Sequence, residues 1–449
     1  MQRPVRIGIV GGGWAGMAAA VTAVQRGAHV TLFEAAPQLG GRARSMTVIG
    51  PTGQPLQLDN GQHILIGAYT TTLTLMQTVG VPLNNGLLRL PLGLPMADGG
   101  GWCAPHWARD WPAPWGAMAA VLWAPHWGWS ERWALMRLVR RWWFHQTGPD
   151  ERTVADACAG VPRRVMHELI EPLCVSALNL PSHAASAQVF SRVMHDTLRT
   201  AGFGPWSASD LLLPRVDLGR LWPQAAAHWL HTQHPQRWQL HLGQAVRTLE
   251  RQDHRWLVHG PNASAEVDQV IWASAATVAT KALKNLAATD DEAQHWVRQA
   301  SALQHTAIAT VYTHTPNTRL REPMLALRPT PSHAGAQFVF DRGQLNPQEP
   351  SMNGVWAWVV SACSGEGEVI TAAVMAQAKT LWPDAHFTHL KTVVDKRAAY
   401  ACRPGTFKPA QRITQGVWAA GDYTEGPYPS TLEAAMRSGV AAGLAATAA

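Results

Sequence analysis

A glycine-rich turn near the start of the chain constrains the fold more than any other stretch. An apolar run of β-type residues, 5–10, leads into the pattern Gly11-x-Gly13-x-x-Gly16, and small helix-forming residues continue to position 24. In such a strand–turn–helix unit, the first glycine permits a tight turn, the second lets a pyrophosphate approach the backbone, and the third lets helix and strand pack closely. The N-terminus of the helix then offers free N–H groups and a positive dipole to phosphate.

A carboxylate follows at the position that a nucleotide site of this kind requires. A second apolar run, 30–33, ends at Glu34, which closes a strand–turn–helix–strand unit of about 30 residues. A carboxylate at this place accepts hydrogen bonds from a ribose. Because strand, glycines, helix and acid occur together, they predict a dinucleotide site. We assign the following residues to it: Gly11, Gly13, Trp14, Ala15, Gly16 and Glu34.

Shortly after Glu34 the chain carries a second glycine pair followed by an arginine. The sequence Gly40-Gly41-Arg42 offers another close backbone approach and a cation for phosphate oxygens. NAD-binding dehydrogenases do not need this element. Here the sequence resembles the flavin-containing amine oxidase and phytoene desaturase superfamily, in which this arginine motif accompanies a tightly held FAD. The resemblance implies FAD as the cofactor, with Gly41 and Arg42 in contact with it. A glycine-rich surface turn with solvated arginines is the alternative.

A second cofactor motif lies near the other end of the chain. Residues 417–422 form a strand pattern that ends in Gly421-Asp422, and a helix is predicted to begin near Thr431. A carboxylate at the end of a strand can bind the ribityl or pyrophosphate region, and the first N–H groups of the helix can face the flavin O2. We therefore assign Gly421, Asp422, Thr431 and Leu432 to the FAD site. A C-terminal packing helix with small residues is the alternative, and the two interpretations are compatible.

The same resemblance implies further contacts with FAD. In the superfamily, the stretch that corresponds to residues 59–69 brings backbone close to the flavin ring, so Gly61, Gln62 and His63 are expected to line it. Val246 stands where superfamily members place a valine backbone against the adenine.

Two residues are candidates for catalysis because they lie close in sequence to the flavin motifs. His63 can exchange a proton near neutral pH, although a lone histidine is more often structural. Tyr428 stands just before the C-terminal helix. Neither assignment follows from a motif of its own.

Composition indicates a folded chain of two domains. Of its 449 residues, 15% are charged and 47% are hydrophobic, which excludes a disordered protein. The formal net charge of +7 comes without a lysine-rich block, so nucleic acid is not an expected partner. The five cysteines show no metal-ligand spacing, and no metal site is expected.

Tryptophan is concentrated in one segment. Residues 99–143 carry ten tryptophans, and a helix with several arginines is predicted over residues 131–145, capped by Ser130. Tryptophan beside arginine suits a membrane–water boundary, which makes a membrane surface a candidate partner. An apolar substrate cavity and an ordinary core are the alternatives for the same residues. With no room for a signal peptide and no apolar run of 18 residues, we expect a cytoplasmic protein, free or attached to the inner face of the cell membrane.

The order of the motifs predicts an α/β fold with a discontinuous FAD domain. A Rossmann-type FAD-binding domain is assigned residues 1–95, 236–280 and 396–449. An α+β substrate domain with a mixed sheet and helices takes the rest, with a mainly helical, substrate- or membrane-facing region at 96–235 and a sheet with helices at 281–395. Three local predictions are a loop at 202–215, a helix at 217–232 and a strand at 240–249.

Three segments narrow the resemblance to one family. Residues 59–69, 172–179 and 396–400 are similar to the squalene-associated FAD-dependent desaturases, the hydroxysqualene dehydroxylases of bacterial hopanoid biosynthesis. The resemblance runs over nearly the whole chain and implies reduction of hydroxysqualene to squalene by hydride from reduced FAD. The implied partners are an apolar C30 isoprenoid as substrate and either NAD(P)H or an electron-donor protein as reductant.

Three other functions stay open at this stage. A carotenoid-type, phytoene-like desaturase would use the same fold in the oxidative direction. A flavin amine oxidase requires a less apolar centre than this chain has. A non-enzymatic flavoprotein scaffold for a membrane pathway would bind FAD without turnover.

Overall fold

The computed structural model describes residues 3–111, 115–124, 127–144, 151–328 and 335–448. These residues form the following strands: β1 Arg6–Val10, β2 His29–Glu34, β3 Ser45–Ile49, β4 Pro55–Asp59, β5 Leu65–Ile66, β6 Leu87–Leu90, β7 Gly93–Pro95, β8 Gly101–Cys103, β9 Leu211–Pro214, β10 Trp238–Leu242, β11 Leu249–Gln252, β12 Arg255–His259, β13 Ser264–Val267, β14 Gln269–Trp272, β15 His305–His314, β16 Met324–Ala326, β17 Phe338–Asp341, β18 Val355–Cys363, β19 Thr388–Tyr400, β20 Arg412–Thr414 and β21 Val417–Ala419.

The same residues form the following α-helices: α1 Trp14–Gln25, α2 Thr70–Thr78, α3 Leu83–Gly86, α4 Trp115–Leu122, α5 Trp129–Trp143, α6 Val154–Ala157, α7 Arg163–Val165, α8 Glu171–Leu178, α9 Ala187–Arg199, α10 Leu218–Leu221, α11 Pro223–Gln233, α12 Ala276–Ala282, α13 Lys284–Ala287, α14 Asp291–Ser301, α15 Arg342–Leu345, α16 Gly367–Leu381 and α17 Leu432–Ala448. Short 3-10 helices cover His106–Ala108 and Pro350–Met352, and the π-helical stretch Met166–Ile170 joins α7 to α8.

One six-stranded sheet is assembled from distant parts of the chain. Its strand order is β10–β2–β1–β14–β21–β20, in which β20 is antiparallel to β21 and the other neighbours are parallel. The strands come from all three sequence segments assigned to the FAD domain. The apolar runs of β1, β2 and β14 are largely buried, as central parallel strands require. The α/β, Rossmann-type fold predicted from the sequence is confirmed.

Two helices rich in small residues, α1 and α17, pack on this sheet and on each other. Helix α1 is buried from Trp14 to Val24. A Cβ atom on Gly439 of α17 would lie 2.2 Å from the carbonyl oxygen of Ala15 in α1, which is far inside van der Waals contact. Because only glycine permits this approach, the last helix lies directly against the helix of the first motif.

A second sheet, with strand order β16–β17–β18–β15–β19, is antiparallel throughout. One of its faces packs on α16 through a cluster that includes Val311, Trp356 and Trp358. Side chains of the same sheet outside that cluster, among them Phe338 and Phe340, line a cavity together with residues of α4, α5, α8 and α9. The second sheet therefore forms one wall of the candidate site.

Two local predictions are corrected by tertiary pairing. Residues 202–215 are not only a loop, because β9 pairs with β5 and β6 and gives the leucines of 211–213 a buried place in a sheet. The strand predicted at 240–249 ends at Leu242, since Gly243 adopts a φ of +67° that ends the extended backbone.

Two predicted helices differ from the observed ones at specific residues. The helix predicted at 217–232 is interrupted at Trp222, and α11 then begins at Pro223, because proline fits the first position of a helix but not its interior. The helix predicted at 131–145 begins earlier, with Gly128 as its N-cap, and Ser130 is therefore not the cap. The predicted last residue, His145, lies outside the described residues.

Among the described helices, none is both long and apolar enough to cross a bilayer. All five cysteines are free thiols, and Cys103 alone of the five is not buried.

The close packing of α1 on α17 predicts the effect of one added methyl group. Gly439→Ala places a Cβ against the Ala15 carbonyl, so we expect a loss of about 1–3 kcal/mol of unfolding free energy despite the better helix propensity of alanine. Thermal unfolding measures this loss. The matched control is Gly367→Ala, whose Cβ would meet its nearest neighbour at 3.6 Å. An unchanged melting temperature for Gly439→Ala would contradict the packing described here.

Candidate cofactor and substrate site

Each of the three motif glycines in the turn between β1 and α1 is required for a different structural reason. Gly11 has a φ of +112°, and a Cβ there would lie 2.8 Å from the carbonyl oxygen of Ala273. A Cβ on Gly16 would lie 1.9 Å from the carbonyl oxygen of Gly11, so this glycine lets the helix pack on the turn. A Cβ on Gly13 would instead meet nothing nearer than the Cα of Gly41 at 3.8 Å. The space beside Gly13 is thus left open, as a bound pyrophosphate requires.

The N-terminus of α1 is also free to meet an anion. Gly13 caps the helix without a side-chain hydrogen bond, and the first turn carries no acidic residue. Trp14, the first residue of the helix, is buried and donates its indole N–H to the carbonyl of Ala43 at 2.9 Å. This bond ties the first glycine motif to the loop that follows the second one.

The carboxylate of Glu34 is fixed at the end of β2. It accepts the backbone N–H of Gly12 at 2.6 Å and that of Ala36 at 2.8 Å, which leaves lone pairs for ribose hydroxyls. The backbone N–H of Gln244 donates to the carbonyl of Glu34 at 2.8 Å. The segment that contains Val246 therefore runs past the ribose end of the predicted site, which fits an adenine at this place.

The two ends of the chain meet at Arg42. Its guanidinium donates to the carbonyl of Ala398 at 2.6 Å and to the carboxylate of Asp422. Asp422 is buried and also accepts the hydroxyl of Ser430, just before α17. The charge of Arg42, predicted to face phosphate, is thus paired with a carboxylate, and this pairing raises the pKa of Arg42. The backbone N–H of Gly421 donates to the hydroxyl of Ser438 within α17.

A cavity of about 310 Å³ lies beside these residues, within the size range of small-molecule sites. Six residues predicted for the cofactor site line it: Arg42, Gly61, Gln62, His63, Thr431 and Leu432. Most of the remaining lining is apolar and comes from α4, α5, α8, α9 and the second sheet. It includes Leu94, Trp102, Val121, Leu135, Val139, Trp142, Leu173, Val193, Leu198, Met324, Phe338, Phe340 and Val359.

His63 is neutral in this setting, and its tautomer is defined by one hydrogen bond. Its Nδ1 lies 2.8 Å from the carbonyl oxygen of Gly61, which can only accept, so Nδ1 carries the proton. Burial lowers the pKa of His63 below its ordinary value of 6.5. The remaining ring nitrogen, Nε2, is therefore an acceptor at neutral pH.

Tyr428 is not among the residues that line the cavity. Its hydroxyl donates to the carboxylate of Asp196 at 2.6 Å, and its backbone carbonyl accepts the hydroxyl of Tyr400. Burial raises the pKa of Tyr428. Its catalytic assignment stays a prediction, as does that of His63.

The structure adds lining residues that the sequence did not single out. Asn60, Tyr69 and Asp395 all line the cavity. Asn60 and Tyr69 belong to the stretch 59–69, which the sequence predicts to approach the flavin ring. The sequence pattern alone gave no reason to select these two residues from that stretch. Burial raises the pKa of the Tyr69 hydroxyl.

A buried polar cluster supports the loop that faces the predicted flavin ring. Arg342 donates to the side-chain carbonyl of Gln62 at 3.0 Å, and its guanidinium lies 3.9 Å from the carboxylate of Asp59. Asp59 also accepts the backbone N–H of Leu218 at 2.7 Å. The bond from Arg342 fixes the amide of Gln62, whose NH₂ group donates to the backbone carbonyl of His63 at 3.4 Å.

Comparisons with known proteins agree with this site at the level of fold and cofactor. A family model described as an NAD(P)-binding Rossmann-like domain matches residues 9–78. A hydroxysqualene dehydroxylase of Zymomonas mobilis subsp. mobilis is 25% identical over 208 residues, which are 43% of this chain and 44% of that protein. A zeta-carotene desaturase of Synechocystis is 38% identical over 80 residues, 18% of this chain and 16% of that one. The matched regions thus span less than half of these relatives.

The fold of this chain matches that of a solved structure over nearly the whole length of both chains. An oxidoreductase from Methanosarcina mazei superposes with a TM-score of 0.73 at 15% identity, covering 98% of this chain and 100% of the other. These similarities support the resemblance to the flavin amine oxidase and desaturase superfamily. FAD, predicted from the sequence, is the cofactor that the comparisons and the open glycine cradle support.

The buried carboxylate of Asp59 predicts a pH dependence of stability. Burial raises its pKa to about 7 against the opposing charge of Arg342, whereas in the unfolded chain the proton leaves near pH 4. Between these values the folded state holds more protons, so the free energy of unfolding falls as pH rises, by at most about 1.4 kcal/mol per pH unit. Asp59→Asn cannot ionise, and urea unfolding across this window should show a flatter profile than the wild type. Asp384→Asn, which removes an exposed carboxylate, is the control and should keep the wild-type slope.

Proposed function

We propose that this chain is an FAD-dependent oxidoreductase that reduces hydroxysqualene to squalene. The observation that carries the proposal is the cavity, in which residues predicted to surround the flavin ring share one space with a long apolar wall. The similarity to a hydroxysqualene dehydroxylase over 43% of the chain supports the choice of substrate. A carotenoid-type desaturase is the second candidate, favoured by the similarity to a zeta-carotene desaturase.

The cavity suits a long hydrocarbon that carries one polar group. Its ionisable lining residues are Arg42, His63, Tyr69 and Asp395. His63 and Tyr69 belong to the stretch predicted to approach the flavin ring, residues 59–69. The charges of Arg42 and Asp395 act on His63, and Tyr69 lines the same cavity. The remaining wall can bury the hydrocarbon, which contributes about 0.8 kcal/mol for each buried CH₂ group.

The proposed reaction replaces an allylic C–O bond by a C–H bond. Reduced FAD, when bound, supplies the hydride. The hydroxyl leaves as water once it has accepted a proton, so the protein has to offer a donor and keep bulk water away. The aromatic side chains of Trp102, Phe338 and Phe340 line the cavity, and aromatic rings can stabilise positive charge that develops on the allylic carbons.

Tyr69 is the lining residue whose protonation state fits the role of donor. Burial raises the pKa of its phenol, so the hydroxyl keeps its proton at neutral pH, and a departing hydroxide is basic enough to take that proton. His63, which is neutral with an accepting Nε2, is suited to accept a hydrogen bond rather than to donate. NAD(P)H or an electron-donor protein remains the proposed reductant.

The reaction can be tested without knowing that reductant. We expect the purified protein, reduced chemically under anaerobic conditions, to convert hydroxysqualene to squalene, as measured by mass spectrometry. Oxidised protein without reductant is the control and should give no squalene. Conversion of phytoene by the oxidised protein, or peroxide release with amines, would assign it to a desaturase or an amine oxidase instead. Bound FAD without any turnover would indicate a flavoprotein scaffold.

Replacing one tyrosine at a time by phenylalanine tests which residue donates the proton to the leaving hydroxyl. Tyr69→Phe should lower kcat by about 100-fold or more, the usual range for loss of a general acid, with FAD content unchanged. Tyr428→Phe is the matched control, because its hydroxyl is bound to Asp196 and Tyr428 is not among the lining residues, and it should keep most of the activity. The opposite ranking of the two variants would return the catalytic role to Tyr428.

A further inference from the structure

The exposed tryptophans of this protein are confined to one segment of the chain. Six of its 22 tryptophans have exposed side chains, with exposed fractions between 45% and 67%, and all six lie between residues 107 and 133. We call their exposed surface the tryptophan face; its members are Trp107, Trp111, Trp115, Trp123, Trp129 and Trp133. Two further apolar side chains of α4, Met118 and Leu122, are exposed beside it.

Three members of the tryptophan face contact one another. The ring of Trp107 lies 5.0 Å from that of Trp111 and 4.9 Å from that of Trp123, both edge to face. Trp129 and Trp133 follow one turn apart on α5, which packs on α4. Soluble proteins rarely expose a contiguous apolar patch of this kind, which points to a partner that covers it.

Charge favours a lipid surface as that partner. Residues 107–144 contain five arginines against two carboxylates, Asp110 and Glu131. Three of the arginines, Arg109, Arg137 and Arg140, are exposed. Indole rings next to arginines are the combination found at the boundary between water and an anionic bilayer, where the rings enter the headgroup layer and the cations bind phosphates.

Four members of the tryptophan face lie on α4, directly after α4 or on α5, and the opposite sides of these two helices line the cavity. Ala117 and Val121 of α4, and Leu135 and Val139 of α5, line the cavity. A wall that is one helix thick therefore separates the apolar cavity from the exposed tryptophans. A C30 hydrocarbon is dissolved in the bilayer rather than in water, so it would reach the cavity beside these helices without crossing the aqueous phase.

We propose that the tryptophan face docks on an anionic phospholipid bilayer and that substrate passes from the bilayer into the cavity beside α4 and α5. The proposal of docking is supported by the exposed tryptophans and arginines and does not depend on the proposed function. The passage of substrate rests on the function proposed above.

Vesicle sedimentation of the FAD-loaded protein tests the docking. Wild type should bind vesicles that contain roughly one third phosphatidylglycerol more tightly than pure phosphatidylcholine vesicles. Trp123→Ser, Trp129→Ser and Trp133→Ser in one chain should weaken binding at least about tenfold, because these rings supply the buried apolar area. Arg137→Gln with Arg140→Gln should reduce the preference for anionic lipid.

A matched control removes exposed apolar side chains elsewhere. Phe407 and Ile49 are 81% and 64% exposed and lie outside the tryptophan face, so Phe407→Ser with Ile49→Ser should bind vesicles as wild type does. FAD content and melting temperature should be unchanged in every variant, since all the substituted side chains are at the surface. Failure of the wild type to bind either vesicle, or unchanged binding by the triple tryptophan variant, would overturn the docking proposal. A dimer that the triple variant dissociates, with no vesicle binding, would instead assign the face to a second copy of the chain.

Assays with substrate in vesicles and with substrate in detergent distinguish the proposed passage of substrate from the proposed function. With hydroxysqualene in vesicles, the triple variant should lose most of its turnover; with substrate dispersed in detergent, it should match the wild type. Equal activity of the two proteins on vesicle-embedded substrate would overturn the proposed passage. Wild-type binding to vesicles with no turnover of either form would reject the function and leave the docking intact.

Discussion

The contact between Arg42 and Asp422 joins parts of the chain that are 380 residues apart in sequence. A buried carboxylate is stable only when it is paired and hydrogen-bonded, and Asp422 obtains both from Arg42 and Ser430. Because Ser430 lies two residues before α17, this contact fixes the last helix beside the second glycine motif. The approach of Gly439 to Ala15 fixes the same helix on α1. The cofactor site therefore exists only when the first and last segments are assembled on one sheet.

The division of the cavity into a polar part and an apolar part follows from this assembly. The segments that meet around Arg42 bring His63, Tyr69 and Asp395 into the same lining, whereas the helices inserted between those segments contribute almost only hydrocarbon. Burial then acts in opposite directions on the two candidate proton carriers. It lowers the pKa of His63 and raises that of Tyr69, so both are neutral, and one offers an acceptor while the other offers a donor.

Helices α4 and α5 have apolar residues on two sides, which explains why their sequence pattern had more than one interpretation. Leu135, Val139 and Trp142 of α5 face the cavity, while Trp129 and Trp133 are exposed. The interpretation as a cavity describes one side of these helices, and the interpretation as a membrane surface depends on the exposed tryptophans of the other side. Only the position of each side chain around the helix distinguishes them.

The sequence by itself determined the parts of the site that are local. The spacing of Gly11, Gly13 and Gly16, the acid at Glu34 and the strand that leads into Gly421 can be identified because each depends on neighbours within one strand–turn–helix unit. Only the tertiary structure decided which distant groups meet. Arg342 contacts Gln62 across 280 residues, β9 becomes a strand because β5 and β6 offer it partners, and Tyr69 rather than Tyr428 lies at the cavity. The reason is physical: a local pattern sets backbone conformation, whereas the partner of a buried polar group is set by how the remaining chain packs around it.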